Sequence, residues 1–109
     1  MEDSAYLYAM EKYSVAVSAL VGVGEITARL KEAYMAILPV GASQLPEHVL
    51  DKHKALKQDL TWIPVDEPGE GTITSTLRAV DEAELDRLAK RFFEVYLDID
   101  SAYHDAHGF

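Results

Sequence analysis

Apolar side chains recur every three or four residues along most of the chain, and this period constrains the fold more than any other feature. Tyr6, Met10, Tyr13, Val17 and Leu20 form one row, which Val23, Ile26, Leu30, Ala33 and Ile37 continue. Val49, Leu56 and Leu60 form another, with Leu50 beside them. Leu85, Leu88, Phe92, Val95, Ile99 and Tyr103 form the last. Such spacing places each row on one face of an α-helix. No stretch alternates apolar and polar residues over five or more positions, as a half-buried strand requires. Thr72, Ile73 and Thr74 have strand-like composition but are too few to build a sheet. The pattern predicts an all-α fold, an antiparallel helical bundle of four or five helices. At 109 residues it is one domain, residues 1–109.

Breaks in the rows place the connections. The steps from Leu20 to Val23 to Ile26 are three plus three, and Gly22 and Gly24 lie there. A glycine inside a helix costs roughly 1 kcal/mol relative to alanine. Helices are therefore expected over about 3–21 and 25–38, with a break or a bend between them. Glu25 suits the electropositive first turn of the second. Pro39 ends that helix, and Pro46 suits the first turn of a third over about 46–60. Trp62, Ile63 and Val65 form an apolar extension. Asp66, Glu67, Pro68, Gly69, Glu70 and Gly71 then make the clearest loop in the chain. Beyond it, Ile73, Leu77 and Val80 mark a short helix with Thr72, Thr74 and Ser75 as candidate N-caps. Asp81, three residues before Glu84, has capping-box spacing and restarts the helix or faces solvent.

Charge and composition bear on function. The net charge is −9, and a chain this acidic is not expected to bind nucleic acid directly. Residues 66–109 hold eleven acids against four basic residues, a balance of −7, whereas residues 1–65 contribute only −2. Cysteine is absent, which excludes disulfides and thiolate chemistry. The start, Met1-Glu2-Asp3, is acidic where a secretory leader is basic. The uncharged run from Tyr13 to Gly24 is twelve residues, against roughly 18–20 for a membrane span. These features predict a cytoplasmic protein with no membrane partner.

Candidate chemistry is sparse. Asp100, His104 and His107 share one helical face at i, i+4 and i+7, a spacing that suits a divalent metal ion but needs a further ligand from elsewhere. The competing reading is a solvated tail. From Glu94 onward there are four acids and no lysine or arginine, although a helix C-terminus favours cations. Gly22 and Gly24 lack the third glycine and the Lys-Ser or Lys-Thr pair of a phosphate loop. No glutamate stands three residues before a histidine, as di-iron bundles require. His53 lies on the inner row of its helix and reads as a hydrogen-bonded boundary residue. Lys52, Lys54 and Lys57 lie on the least acidic surface, mixed with Glu47, Asp51 and Asp59.

The last helix carries a second row, Ala89, Phe93, Tyr96 and Leu97, beside the first. Its apolar arc exceeds what packing on one side requires. Either neighbours cover both rows or the second row is an interface. The expected function is a non-enzymatic acidic helical interaction module, acting through a protein partner or as a homodimer. Its interface would be Phe92, Phe93, Tyr96, Leu97 and Tyr103. Two alternatives are a metal-dependent bundle enzyme using the Asp100, His104 and His107 face, and an acidic mimic of nucleic acid that inhibits a nucleic-acid-binding protein. In limited proteolysis, the first cleavage is expected within residues 66–71, identified by mass spectrometry of the fragments.

Overall fold

Five α-helices, and no strand, form among the described residues: Glu2–Leu20 (α1), Ile26–Ile37 (α2), Glu47–Leu60 (α3), Thr72–Ala79 (α4) and Glu82–Ala106 (α5). A computed structural model describes the backbone of residues 2–65 and 71–106 and the side chains of residues 6–65 and 71–105. Residues 66–70 of the expected loop lie outside this range. The architecture is the predicted helical bundle, with a single 3-10 turn at Ala42–Gln44 between α2 and α3. Among the described residues, no helix is long and apolar enough to cross a membrane.

The two glycines break the first helix rather than bend it. α1 stops at Leu20, and Gly24 adopts φ +110°, a conformation that side chains with a Cβ rarely enter. Arg29, on the first turn of α2, then reaches back across the connection. Its guanidinium donates to the Leu20 carbonyl at 2.5 Å and to the Gly24 carbonyl at 3.0 Å. The Leu20 carbonyl is among those a helix leaves unbonded at its C-terminus. Arg29 thus closes α1 and fixes the turn into α2, and these two helices make the most extensive contact in the bundle. Val23, read as part of the apolar row, is fully exposed on the turn.

The buried face of α1 is rotated from the row of large residues. Ala9, Tyr13, Ala16 and Leu20 are buried, whereas Tyr6, Met10 and Val17 are only half-buried. Alanines on the contact face let α2 and α5, both packed on α1, approach closely. The larger residues flank the contact. In α5, Leu85, Leu88, Phe92, Val95 and Ile99 are buried as their spacing predicts.

Two ion pairs define how α3 meets α5. Lys52 Nζ lies 2.7 Å from Asp98 Oδ2, and Arg91 Nη1 lies 2.6 Å from Asp59 Oδ2. Lys52 and Asp59 are two turns apart on α3, and Asp98 and Arg91 are two turns apart on α5 in the opposite order. The helices therefore run antiparallel. A parallel arrangement in this register would set Lys52 against Arg91 and Asp59 against Asp98. Exposed pairs add only ~0–1 kcal/mol each; their value here is in direction and register.

Thr72, Thr74 and Ser75 do not cap α4. Its N-cap is Gly71, which has no side chain to cap with, and two hydroxyls within the helix are used elsewhere. Ser75 Oγ donates to the Pro64 carbonyl at 2.5 Å, and Thr76 Oγ1 accepts from the Ile63 N–H at 3.0 Å. Both residues are buried, and both tie the chain after α3 to α4. At the start of α5, Asp81 Oδ1 accepts from the Glu84 N–H at 2.9 Å, so this aspartate caps the helix. Gly24→Ala meets no atom within 4 Å, so its effect isolates the backbone strain. It is expected to lower unfolding free energy by about 1–2 kcal/mol in urea titrations, with helical content retained.

Candidate functional site

Helical geometry turns α5 through 100° per residue, so its two apolar rows separate. The first row points into the bundle. The second lies to one side, and exposure rises with angular distance from the core. Ala89 and Tyr96 are half-buried, Phe93 is 37% exposed and Leu97 is 60% exposed. The neighbours of α5 therefore cover the second row only in part. Tyr96 closes one end of a cleft of about 450 Å³ formed with Leu7, Met10, Glu11 and Ser14 of α1. Leu7 is also exposed and extends the apolar surface across the cleft. Glu11, Glu94 and Asp100 flank this surface, while Phe93 lines a second cleft with Arg29, Lys90, Glu82 and Asp86, so the surround carries both signs of charge.

The other residues expected at this interface separate. Phe92 is fully buried against Tyr13, their ring centroids 6.3 Å apart, so it belongs to the core rather than to the exposed face. Tyr103 is half-buried near the end of α5 and stacks at a tilt on His104, with centroids 5.9 Å apart. Asp100 and His104 do share a face, with His104 Nδ1 3.7 Å from Asp100 Oδ2. His107 lies outside the described residues, and no cluster of three metal-ligating side chains occurs among those described.

A second feature was only partly legible in the sequence. His53 is 3% exposed, and its Nδ1 lies 2.6 Å from the Tyr13 hydroxyl. Tyr13 is itself fully buried at the junction of α1, α3 and α5. Burial pushes the Tyr13 pKa well above its ordinary range, against the opposing pull of the Arg91 charge. The hydroxyl therefore stays protonated. If it accepted from Nδ1, its own proton would be buried without an acceptor. The satisfied arrangement has Tyr13 donating to Nδ1, which places the imidazole proton on Nε2. Nε2 is buried without a hydrogen bond of good geometry, although the Val40 backbone acts on the imidazole as a hydrogen-bond acceptor.

His53 also lines a cleft of about 340 Å³ with Val40, Ala42, Leu50, Lys54 and Lys57. Neither lysine joins an ion pair among the described residues. Burial, and next the Lys57 charge, push the His53 pKa down to about 4, against the opposing effect of the Val40 backbone. Lys52, one residue earlier, turns to Asp98, whose hydrogen bond and charge raise the lysine pKa. The i, i+3 spacing of Lys54 and Lys57 was visible in the sequence. The partnership of His53 with Tyr13, forty residues away, had no local signal.

The chain matches no family model, no curated protein and no solved structure. The depressed His53 pKa makes stability depend on pH with a definite sign. Between about pH 4 and 6.5 the unfolded chain binds this proton and the folded one does not. Stability contributed here is complete above 6.5 and declines as pH falls toward 4, by on the order of 3 kcal/mol. Urea titrations across this window should show the decline in the wild type. A smaller slope is expected in His53→Gln, which has no proton to take up.

Proposed function

We propose that this chain is a non-enzymatic helical interaction module that docks a protein partner on the outer face of α5. The observation that carries the reading is the exposure of Phe93 and Leu97 beside a fully packed first row. Clustered apolar surface on a small protein commonly marks an interface. The net charge of −9 favours a partner whose apolar contact is ringed by basic side chains. A second copy would bring two acidic chains together. Self-association is therefore the less favoured occupant.

Leu97→Glu places a charge at the centre of the face and disturbs little packing. It is expected to change unfolding free energy by about 0.5 kcal/mol and to weaken docking by about 2 kcal/mol. Two measurements test this: affinity capture from the native host and sedimentation equilibrium, each on wild type, Leu97→Glu and Phe93→Glu. A basic partner held by the wild type and released by both variants is the expected result. A partner held equally by all three removes α5 from the interface. A wild-type dimer dissociated by both variants transfers the face to self-association.

A further inference from the structure

We propose that the connection between α2 and α3, residues 39–45, is an acid-opened flap: a proton taken up by His53 swings it away from the imidazole while the helices stay packed. The device is independent of the docking face of α5, because the flap rests on α1 and borders a cleft with α3.

The imidazole is held for its neutral form only. Tyr13 donates to Nδ1 at 2.6 Å, and the Val40 backbone acts on the ring as an acceptor from the flap side. Nε2 already carries the ring proton, so a second proton enters at Nδ1. The Tyr13 hydroxyl, which stays protonated, must then turn and accept. Its own proton is left without an acceptor in a fully buried site.

The charges around the ring do not relieve an imidazolium. Tyr13 of α1 is neutral, and residues 39–45 carry no ionisable side chain. α3 contributes Lys54 and Lys57, and the Lys57 charge acts against protonation. α5 contributes Arg91, bound to Asp59 of α3, and Asp98, bound to Lys52, on which exposed Glu94 also acts. Each of these carboxylates serves another cation. A charged imidazole therefore has to be hydrated, and the way to water is the cleft between the flap and α3.

The flap is the wall of that cleft that yields with least disruption. Its backbone hydrogen bonds close on itself or on the last turn of α2: Val40 N–H to Ile37, Gly41 N–H to the Gln44 side chain, Gln44 N–H to Gly41 and Leu45 N–H to Ala42. Gly41, Ala42 and Ser43 are exposed, and only Val40 and Leu45 anchor the segment in the core. Moving it breaks no helix. The opposite wall is α3, whose Val49, Leu56 and Leu60 are fully buried. Opening exchanges the Val40 acceptor for water and hydrates the ring.

The sign follows from linkage. With the flap closed the His53 pKa is about 4, and with the ring in water it returns to 6.5. The flap is closed above pH 6.5, opens as pH falls toward 4, and gains no more below. The ratio of open to closed rises by roughly 300-fold across this window.

Nuclear magnetic resonance of the full chain, labelled with nitrogen-15 at histidine and carbon-13 at valine and leucine methyls, tests the flap between pH 7.5 and 3.5. Val40 and Leu45 methyls and the His53 ring should change together, with one midpoint between about pH 4 and 6.5. Leu30 and Leu88 methyls and far-UV circular dichroism should hold steady over that transition. In His53→Gln the Val40 and Leu45 methyls should not respond. Lys57→Ala should move the midpoint to higher pH, and it carries the test alone should His53→Gln fail to fold. The proposal is overturned if all four methyls and the dichroism change at one midpoint, since the chain then unfolds as a whole. It is equally overturned if His53 takes up its proton without movement of Val40 and Leu45, if these methyls respond in His53→Gln as in the wild type, or if Lys57→Ala leaves the midpoint in place.

Discussion

The bundle depends on a polar contact at its centre. Tyr13 of α1 is fully buried, donates to His53 of α3 and packs on Phe92 of α5. One side chain thus touches three helices that are distant in sequence. A buried hydroxyl and a buried imidazole are each unfavourable without a partner. Their pairing is directional in a way that leucine packing is not. The hydrogen bond requires α1 and α3 to meet at one rotation and one height. The Tyr13 and His53 rings also meet edge-on, centroids 5.7 Å apart at 67°, which adds a second geometric condition.

Charges around this centre complete the alignment. The antiparallel order of Lys52 and Asp59 against Asp98 and Arg91 matches the direction in which α3 and α5 pack. Arg91 is only partly exposed, and its charge also acts on Tyr13, so the ion pair and the buried hydroxyl lie in one electrostatic neighbourhood. At the opposite end of α1, Arg29 bonds two carbonyls of the α1–α2 connection. These polar contacts contribute little energy individually. They specify which of several hydrophobically equivalent arrangements forms.

The proposed docking face follows from the same geometry. Because Phe92 is committed to Tyr13, the first row of α5 is consumed by the core, and Phe93 and Leu97 are left at its edge. Because Tyr13 takes Nδ1 of His53, the imidazole is held inside the bundle with its other nitrogen buried.

The sequence by itself determined the helices and most of their limits. Three–four periodicity, Pro39, Pro46 and the glycines at 22 and 24 are local signals, and local hydrogen bonding makes a helix readable from them. It determined the buried row of α5 as well, since large apolar residues have few other places to go. Only the tertiary structure decided which face of α1 is buried, because Ala9 and Ala16 carry almost no hydrophobic signal yet permit close approach. It also decided that Ser75 and Thr76 serve the segment after α3 instead of a helix cap. The Asp66–Gly71 signal was clear in sequence, but its residues 66–70 lie outside the described structure. The pairing of Tyr13 with His53 was not readable at all. Hydrogen bonds across forty residues are chosen by packing, and a linear pattern holds no record of the angle at which two helices meet.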